Sequence, residues 1–350
     1  MKIAVIGLGS MGRRRVRDLL DLGHEVIGVD VRADRRSDAQ SHFGISTFET
    51  HLDIPSTIEA VVISTPPDCH AYFYEFCYAN GFNFFSEANI FTPHVSWFVG
   101  KEKSGRVKGY PSGTWLFHPL VQQLRDKIVA IGTEQVNTIT HRYGAFLPDW
   151  HSWEPYHEFY AGRSNSSATR EMVPFEIEIL VHALGPVANL SALKCQSRDW
   201  RNPLDDSFFI ALEFESGVAG TLSVELHQVS PVRETRVAMR DDTLVLQIGE
   251  GRLDHFNRSS GCQTTSRPTS YRGRWGFYFE DIYRKEIENW VGALNGDKYV
   301  KSWSDDRHLS DILYAAELSS LSGRRVSISE IANVYDGLSW IDSGGLPVAE

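Results

Sequence analysis

The first twelve residues constrain this 350-residue chain more than anything that follows. An apolar run, Lys2-Ile3-Ala4-Val5-Ile6, passes directly into Gly7-Leu8-Gly9-Ser10-Met11-Gly12, and a helical pattern over Met11–Leu22 opens from it. Glycines at this spacing between a strand and a helix answer a specific need. Gly7 permits the tight turn, Gly9 lets a pyrophosphate approach the backbone, and Gly12 lets helix and strand pack closely. The helix N-terminus, with Ser10 and Met11 in its first turn, supplies oriented N–H groups and a partial positive charge to the phosphates. Without a ligand the same residues would be only a glycine-rich turn, but their placement favours a dinucleotide. Asp30 closes the next strand, where a carboxylate accepts hydrogen bonds from ribose hydroxyls and repels a 2′-phosphate, so NAD is expected. Arg32, Arg35 and Arg36 follow at once; they form either a solvated helix face or a 2′-phosphate site, which keeps NADP open.

Strand and helix patterns alternate through the first part of the chain. Lys2–Ile6, Glu25–Asp30, Ala60–Ser64 and Asn83–Ser86 read as strands, and Met11–Leu22 and Asp68–Asn80 as helices. This predicts an α/β Rossmann domain over residues 1–115, with a doubly wound parallel sheet. A helix is expected over Pro119–Ala130, then longer alternating runs at Gln135–Tyr143, Phe208–Glu215, Val218–His227, Arg233–Met239 and Thr243–Ile248. Residues 116–350 are therefore expected to form an α+β domain with a predominantly antiparallel sheet for substrate binding and oligomerisation. Helices over Phe277–Leu294 and Asp305–Ser322 close the pattern, and residues 250–275, rich in Arg, Ser, Thr and Gly, are expected to form a long loop.

Composition excludes several alternatives. A net charge of −10 argues against nucleic acid as a partner. No stretch approaches the ~20 apolar residues of a membrane span. The strand at the very start leaves no room for a signal peptide, and Cys69, Cys77, Cys195 and Cys262 lack metal-type spacing, so reduced thiols in a cytoplasmic protein are expected.

Two further segments, Ser64-Thr65-Pro66-Pro67-Asp68-Cys69-His70 and Gly81–Glu87, together with Phe117-His118-Pro119, resemble the glucose–fructose oxidoreductase / inositol dehydrogenase / MocA family of NAD(P)-dependent sugar oxidoreductases. The resemblance implies that Thr65, Pro66 and His70 close over the cofactor beside Glu87, and that His118 leads into the substrate domain. It implies hydride transfer with a sugar, sugar nucleotide or cyclic polyol, and a homodimer or homotetramer formed through the antiparallel sheet. Two positions depart from the pattern. The Glu-Lys-Pro motif reads Glu87-Ala88-Asn89, so the family lysine is alanine. Phe175 stands where an Asp-x-x-x-His pattern would place its histidine.

Hydride removal from a C–OH carbon needs a base for the hydroxyl proton. No lysine lies between Lys127 and Lys194, so the substitute is sought in the loop that begins at Asp149. His151 ranks first, His157 second, and Asp149 completes the candidate catalytic set, because imidazole titrates nearest neutral pH. His118, Trp150, Trp153, Tyr156, Tyr160 and Arg170 are expected to bind substrate through ring stacking and hydrogen bonds. Without catalysis, the same aromatic loop would merely pad a domain interface. Arg170 and Glu171 could also contact substrate or serve as acid/base, but reading Pro174 as the first turn of its helix puts Glu171 at the cap, against a catalytic role. His182 reads as a core histidine. The His151–Glu154–His157 spacing is not that of a known metal site, so no metal is expected. A redox-neutral enzyme that retains its cofactor, and a non-catalytic dinucleotide-binding or regulatory protein, remain the alternatives.

Overall fold

A computed structural model describes residues 1–150, 154–196, 198–202, 204–268 and 280–336. Its first sheet contains β1 (Lys2–Ile6), β2 (Glu25–Val29), β3 (Ser46–Phe48), β4 (Ala60–Ile63), β5 (Asn83–Ser86) and β6 (Gly109–Pro111). All pair in parallel in the order β3-β2-β1-β4-β5-β6. The strand order reverses between β1 and β4, and their carboxyl ends open a crevice of the kind that binds ligands in such sheets. Both faces are covered, which is why these strands read as unbroken apolar runs. Ile3 and Val5 face α1 (Ser10–Asp21) and α2 (Ala33–Phe43), while Ala4 and Ile6 face α3 (His70–Asn80) and α4 (Thr92–Glu102).

After α5 (Pro119–Ile131) comes a nine-stranded sheet: β7 (Val136–Phe146), then α6 (Ala168–Leu184), then β8 (Val187–Cys195), β9 (Ser207–Phe214), β10 (Ala219–Glu225), β11 (His227–Met239), β12 (Asp242–Gln247), β13 (Arg252–Asn257), β14 (Cys262–Ser266) and, near the end, β15 (Val326–Ser327). Its pairings are antiparallel except between β7 and β10. Helices α5, α6 and α8 (Trp303–Ser322) bury one face through residues such as Leu124, Ile177 and Ile312. The opposite face leaves Leu193 and Phe209 exposed. α9 (Ile328–Asp336) follows β15. α7 (Glu280–Leu294) returns to the first sheet, placing Ile287 and Trp290 against the cluster of Ile3 and Val5; this packing joins residues distant in sequence to the first sheet.

The expected strand–helix alternation and mixed architecture are present. The long loop expected over 250–275 is corrected: its described part folds as β13 and β14, paired across a turn with Gly261 at φ 65°. β14, Cys-Gln-Thr-Thr-Ser, is an edge strand with almost every residue solvated, so it carries no apolar alternation. α2 also lacked a visible apolar stripe, because only Ala39 is buried along it. The helix read from Glu171 begins three residues earlier: Ser167 Oγ accepts from the N–H of Arg170 at 3.3 Å and caps α6. Glu171 therefore lies in the first turn rather than at the cap. Pro174 stands inside the helix and offers no N–H to the carbonyl one turn before it.

Candidate functional site

The backbone of the Gly7–Gly12 turn leaves no room for side chains. Gly7 adopts φ 91°, and a Cβ there would lie 2.4 Å from the carbonyl oxygen of Ser64. A Cβ on Gly12 would lie 1.8 Å from the carbonyl oxygen of Gly7. Gly9 is different: only the Arg35 guanidinium approaches its Cβ position, at 3.4 Å. The turn thus presents open backbone beside a cation, as an anionic diphosphate requires. Ser10 Oγ accepts from Arg14 at 2.8 Å, and Met11 packs against the core of the second sheet, which sets the turn at the junction of the two sheets.

Asp30 is 7% exposed. Its carboxylate accepts from the N–H groups of Leu8 at 2.8 Å and Arg32 at 2.9 Å, which fixes it against the turn. Arg35 lies 3.7 Å from it. Arg32 pairs with Asp34 at 2.6 Å and reaches Glu154 of the second part of the chain at 3.7 Å. Arg36 donates to the carbonyls of Asp30 and Val31 and pairs with Glu49, so its guanidinium serves the local backbone.

Across the crevice, Thr65 and Pro66 follow β4. The buried hydroxyl of Thr65 has no hydrogen-bond partner among the described residues. His70 is buried, with ring nitrogens 3.0 Å from Asn89 Oδ1 and 3.0 Å from the Thr65 carbonyl. Burial pushes its pKa down, against the smaller opposing pull of those two partners. It holds the Thr65–Pro66 segment in place from behind. Asn89 donates to Asp306 at 2.7 Å and accepts from Tyr74, tying this segment to α8.

Glu87 is anchored rather than free. Arg15, with a fully buried side chain, donates to its two oxygens at 2.6 and 2.9 Å and to Glu286 of α7 at 2.7 Å; Ser64 Oγ donates to it at 3.2 Å. Sequence reading gave no sign of this Arg15 hub, because its partners lie 72 and 271 residues away. A second buried cation, Lys301, joins Asp306 at 2.7 Å and Glu178 of α6 at 2.8 Å.

The candidate substrate and catalytic residues are spread more widely than the sequence suggested. His151 and Trp153 lie outside the described residues. Asp149 is exposed, and Trp150 packs against the second core. His157 faces Arg201 at 2.7 Å, and Tyr156 accepts from the Arg201 N–H at 2.7 Å while packing on Trp200. Both therefore point toward the loop between β8 and β9. His118 is buried; its Nδ1 caps α5 by accepting from Leu120 at 3.2 Å, and burial beside Arg233 and Lys285 pushes its pKa down to about 3. Arg170 is held by Glu317 at 2.7 Å and lies over the Phe91 ring, bridging α6 and the segment after β5. Among the described residues no three His, Cys, Asp or Glu side chains gather as metal ligands.

Tyr160 is the exception. Its hydroxyl donates to Glu171 Oε2 at 2.8 Å, and both residues are half-buried. Desolvation, with the charge of Glu87 acting in the same direction, pushes the Glu171 carboxyl up to about 7, against the opposing hydrogen bond from Tyr160. Burial likewise holds the Tyr160 phenol well above its ordinary range. A carboxyl that changes charge near neutral pH can exchange protons under ordinary conditions. Further along α6, Phe175 packs on Trp115.

Residues 1–94 match the oxidoreductase family, NAD-binding Rossmann fold (Gfo/Idh/MocA). No curated protein sequence matches the chain. Solved structures do. An oxidoreductase from Agrobacterium radiobacter in complex with NAD+, L-tartaric acid and magnesium superposes with a TM-score of 0.81 at 16% identity, over 95% of this chain and 99% of that one. Levoglucosan dehydrogenase in complex with NADH and L-sorbose superposes with a TM-score of 0.82 at 13% identity, over 95% and 100%. An NAD binding oxidoreductase from Klebsiella pneumoniae gives 0.76 at 16% identity, over 94% and 99%. At these identities the likeness establishes a common fold along nearly the whole chain.

Proposed function

We propose, for a chain whose residues 1–94 match the Gfo/Idh/MocA oxidoreductase family, NAD-binding Rossmann fold, a hydride-transfer enzyme acting on a CH–OH carbon of a sugar, sugar nucleotide or cyclic polyol. The observation that carries the reading is the crevice itself. Near the carboxyl ends of β1, β2 and β4 stand an open Gly9 backbone, an anchored Asp30 and the Thr65 hydroxyl; α6 adds Glu171, near enough to Glu87 at the end of β5 for that charge to help raise its carboxyl.

In this reading Gly7, Gly9, Ser10, Met11 and Gly12 hold the diphosphate, and Asp30 and Arg32 the adenosine ribose. Thr65 and Pro66, backed by His70, border the nicotinamide side, and Glu87 shapes its floor through Arg15. Bound NAD supplies the hydride acceptor. The protein excludes water, orients the carbon that reacts and manages the hydroxyl proton. Levoglucosan dehydrogenase among the structural neighbours agrees with a sugar-like substrate. The open face around Leu193 and Phe209 is where we place a second copy of the chain.

One observation favours a second reading. Ala88 stands where the family lysine is expected, and a dinucleotide-binding protein without catalysis would tolerate it. Fluorescence titration with NADH and NADPH, together with a panel of sugars and polyols followed by NADH absorbance, decides between them. NADH should bind more tightly than NADPH, and Asp30→Ser should erode that preference by tenfold, about 1.4 kcal/mol. A wild type that prefers NADPH contradicts the Asp30 assignment, and binding without any turnover favours the non-catalytic reading.

A further inference from the structure

We propose that Tyr160 and Glu171 together are the acid/base of this site, taking the place of the absent lysine. The assignment rests on the oxidoreductase reading above and deepens it. Tyr160 comes from the short turn Tyr160–Gly162 and Glu171 from the first turn of α6; the hydrogen bond of 2.8 Å between them joins the two segments.

The surroundings explain why this carboxyl is available for proton transfer. At the N-terminus of a helix a carboxylate is ordinarily favoured by the macrodipole. Here burial outweighs that pull. Among the described residues the titratable groups that act on Glu171 are few: the neutral Tyr160 from its turn, the charged Glu87 from the end of β5, and the neutral Tyr143 from β7, whose phenol the Glu171 charge helps to raise. The nearby cations are committed elsewhere, Arg15 to Glu87 and Glu286, Arg170 to Glu317. Among the described residues Glu171 therefore has one side-chain hydrogen-bond donor and no ion-pair partner, unlike Glu87, Glu176, Glu178 and Glu286, which all have one.

The proton balance is simple. When the substrate carbon is oxidised, its C–H electron pair leaves as hydride to bound NAD, which is reduced, and its O–H bond breaks. The hydroxyl proton passes to Tyr160 Oη as the phenolic proton of Tyr160 passes to Glu171 Oε2. The products are a carbonyl, NADH and a protonated Glu171; reduction runs the same path backwards. Tyr160 relays and does not store charge, because its phenol is held well above the range in which it would ionise.

The pH dependence follows. Oxidation needs Glu171 ionised, so its rate should rise as pH passes through about 7. Stability should move the other way. Between 4.5, the ordinary value, and about 7 the folded protein binds the proton that the unfolded chain has lost, so stability falls as pH rises through that window. Glu171→Gln should remove this loss and unfold at a higher temperature than wild type at pH above that window.

The test combines infrared titration of the carboxyl in the cofactor-free protein with turnover on the best sugar or polyol. A protonated-carboxyl band should titrate near neutral pH, vanish in Glu171→Gln, and shift to higher pH in Tyr160→Phe, which loses the bond that favours the ionised form. Both variants should lose about 10²- to 10⁴-fold in kcat with NADH affinity within about twofold of wild type. A Glu171 that titrates in the ordinary carboxylate range overturns the proposal whatever the turnover. So does Glu171→Gln with full turnover while His151→Ala abolishes it, a result that leaves the oxidoreductase reading standing and moves the base to the loop. A wild type that turns over nothing, although Glu171 titrates as stated, overturns the oxidoreductase reading and the proton-transfer role with it.

Discussion

The Gly7–Gly12 turn and the Tyr160–Glu171 corner treat polar groups in opposite ways. The turn strips away side chains until backbone N–H groups stand open, and it holds a carboxylate, Asp30, firmly with two donors. The corner does the reverse: it buries a carboxyl with a single neutral donor and withholds a cation. The first arrangement stabilises a fixed charge and suits binding. The second leaves a charge on the edge of ionisation and suits a proton that must come and go. Arg15 shares its one positive charge between Glu87 and Glu286, and among the described residues no such cation pairs with Glu171.

That division can be broken at the hub. Arg15→Met should leave Glu87 and Glu286 buried without their shared cation, at a cost of about 3–5 kcal/mol in unfolding free energy. Urea denaturation checks it; a loss under about 1 kcal/mol would mean that the two carboxylates do not depend on Arg15. A smaller effect should follow at the turn. The Cβ of Gly12→Ala meets the Gly7 carbonyl, so the helix must shift away from the strand, costing about 1–3 kcal/mol of stability and at least about tenfold in NADH affinity. Unchanged affinity would show that the close packing of helix and strand does not set the phosphate site.

The two regions also differ in how much of them can be read from sequence. The turn is made by backbone, and backbone demands fixed glycine spacing next to a strand, so Gly7, Gly9, Gly12 and Asp30 stand out in a single sequence. Arg15 gave no such sign, since it looks like any arginine on an amphipathic helix until α7 returns from the far end of the chain. The corner is made by side chains brought together through an irregular loop, where tyrosines and carboxylates are plentiful and the spacing carries no rule. Pro174 added a false boundary: taken as a first-turn proline it moved Glu171 out to the cap, whereas α6 begins at Ala168 and accommodates the proline within. The four-residue spacing from Glu171 to Phe175 was the available signal, a carboxylate and an apolar ring one helical turn apart. Loops and edge strands hid for the same reason, as β14 shows with its solvated Cys-Gln-Thr-Thr-Ser.

The central claim is that this crevice moves hydride from a CH–OH carbon, and isotope transfer tests it without assuming which residue is the base. The sugar or polyol turned over best, labelled with deuterium on the carbon to be oxidised, is incubated with the protein and NAD+, and the nucleotide is recovered for mass spectrometry and NMR. The account predicts one deuterium at C4 of the nicotinamide ring for each molecule of carbonyl product. Carbonyl product with deuterium released to water, or no labelled nucleotide with any substrate that binds, would contradict it.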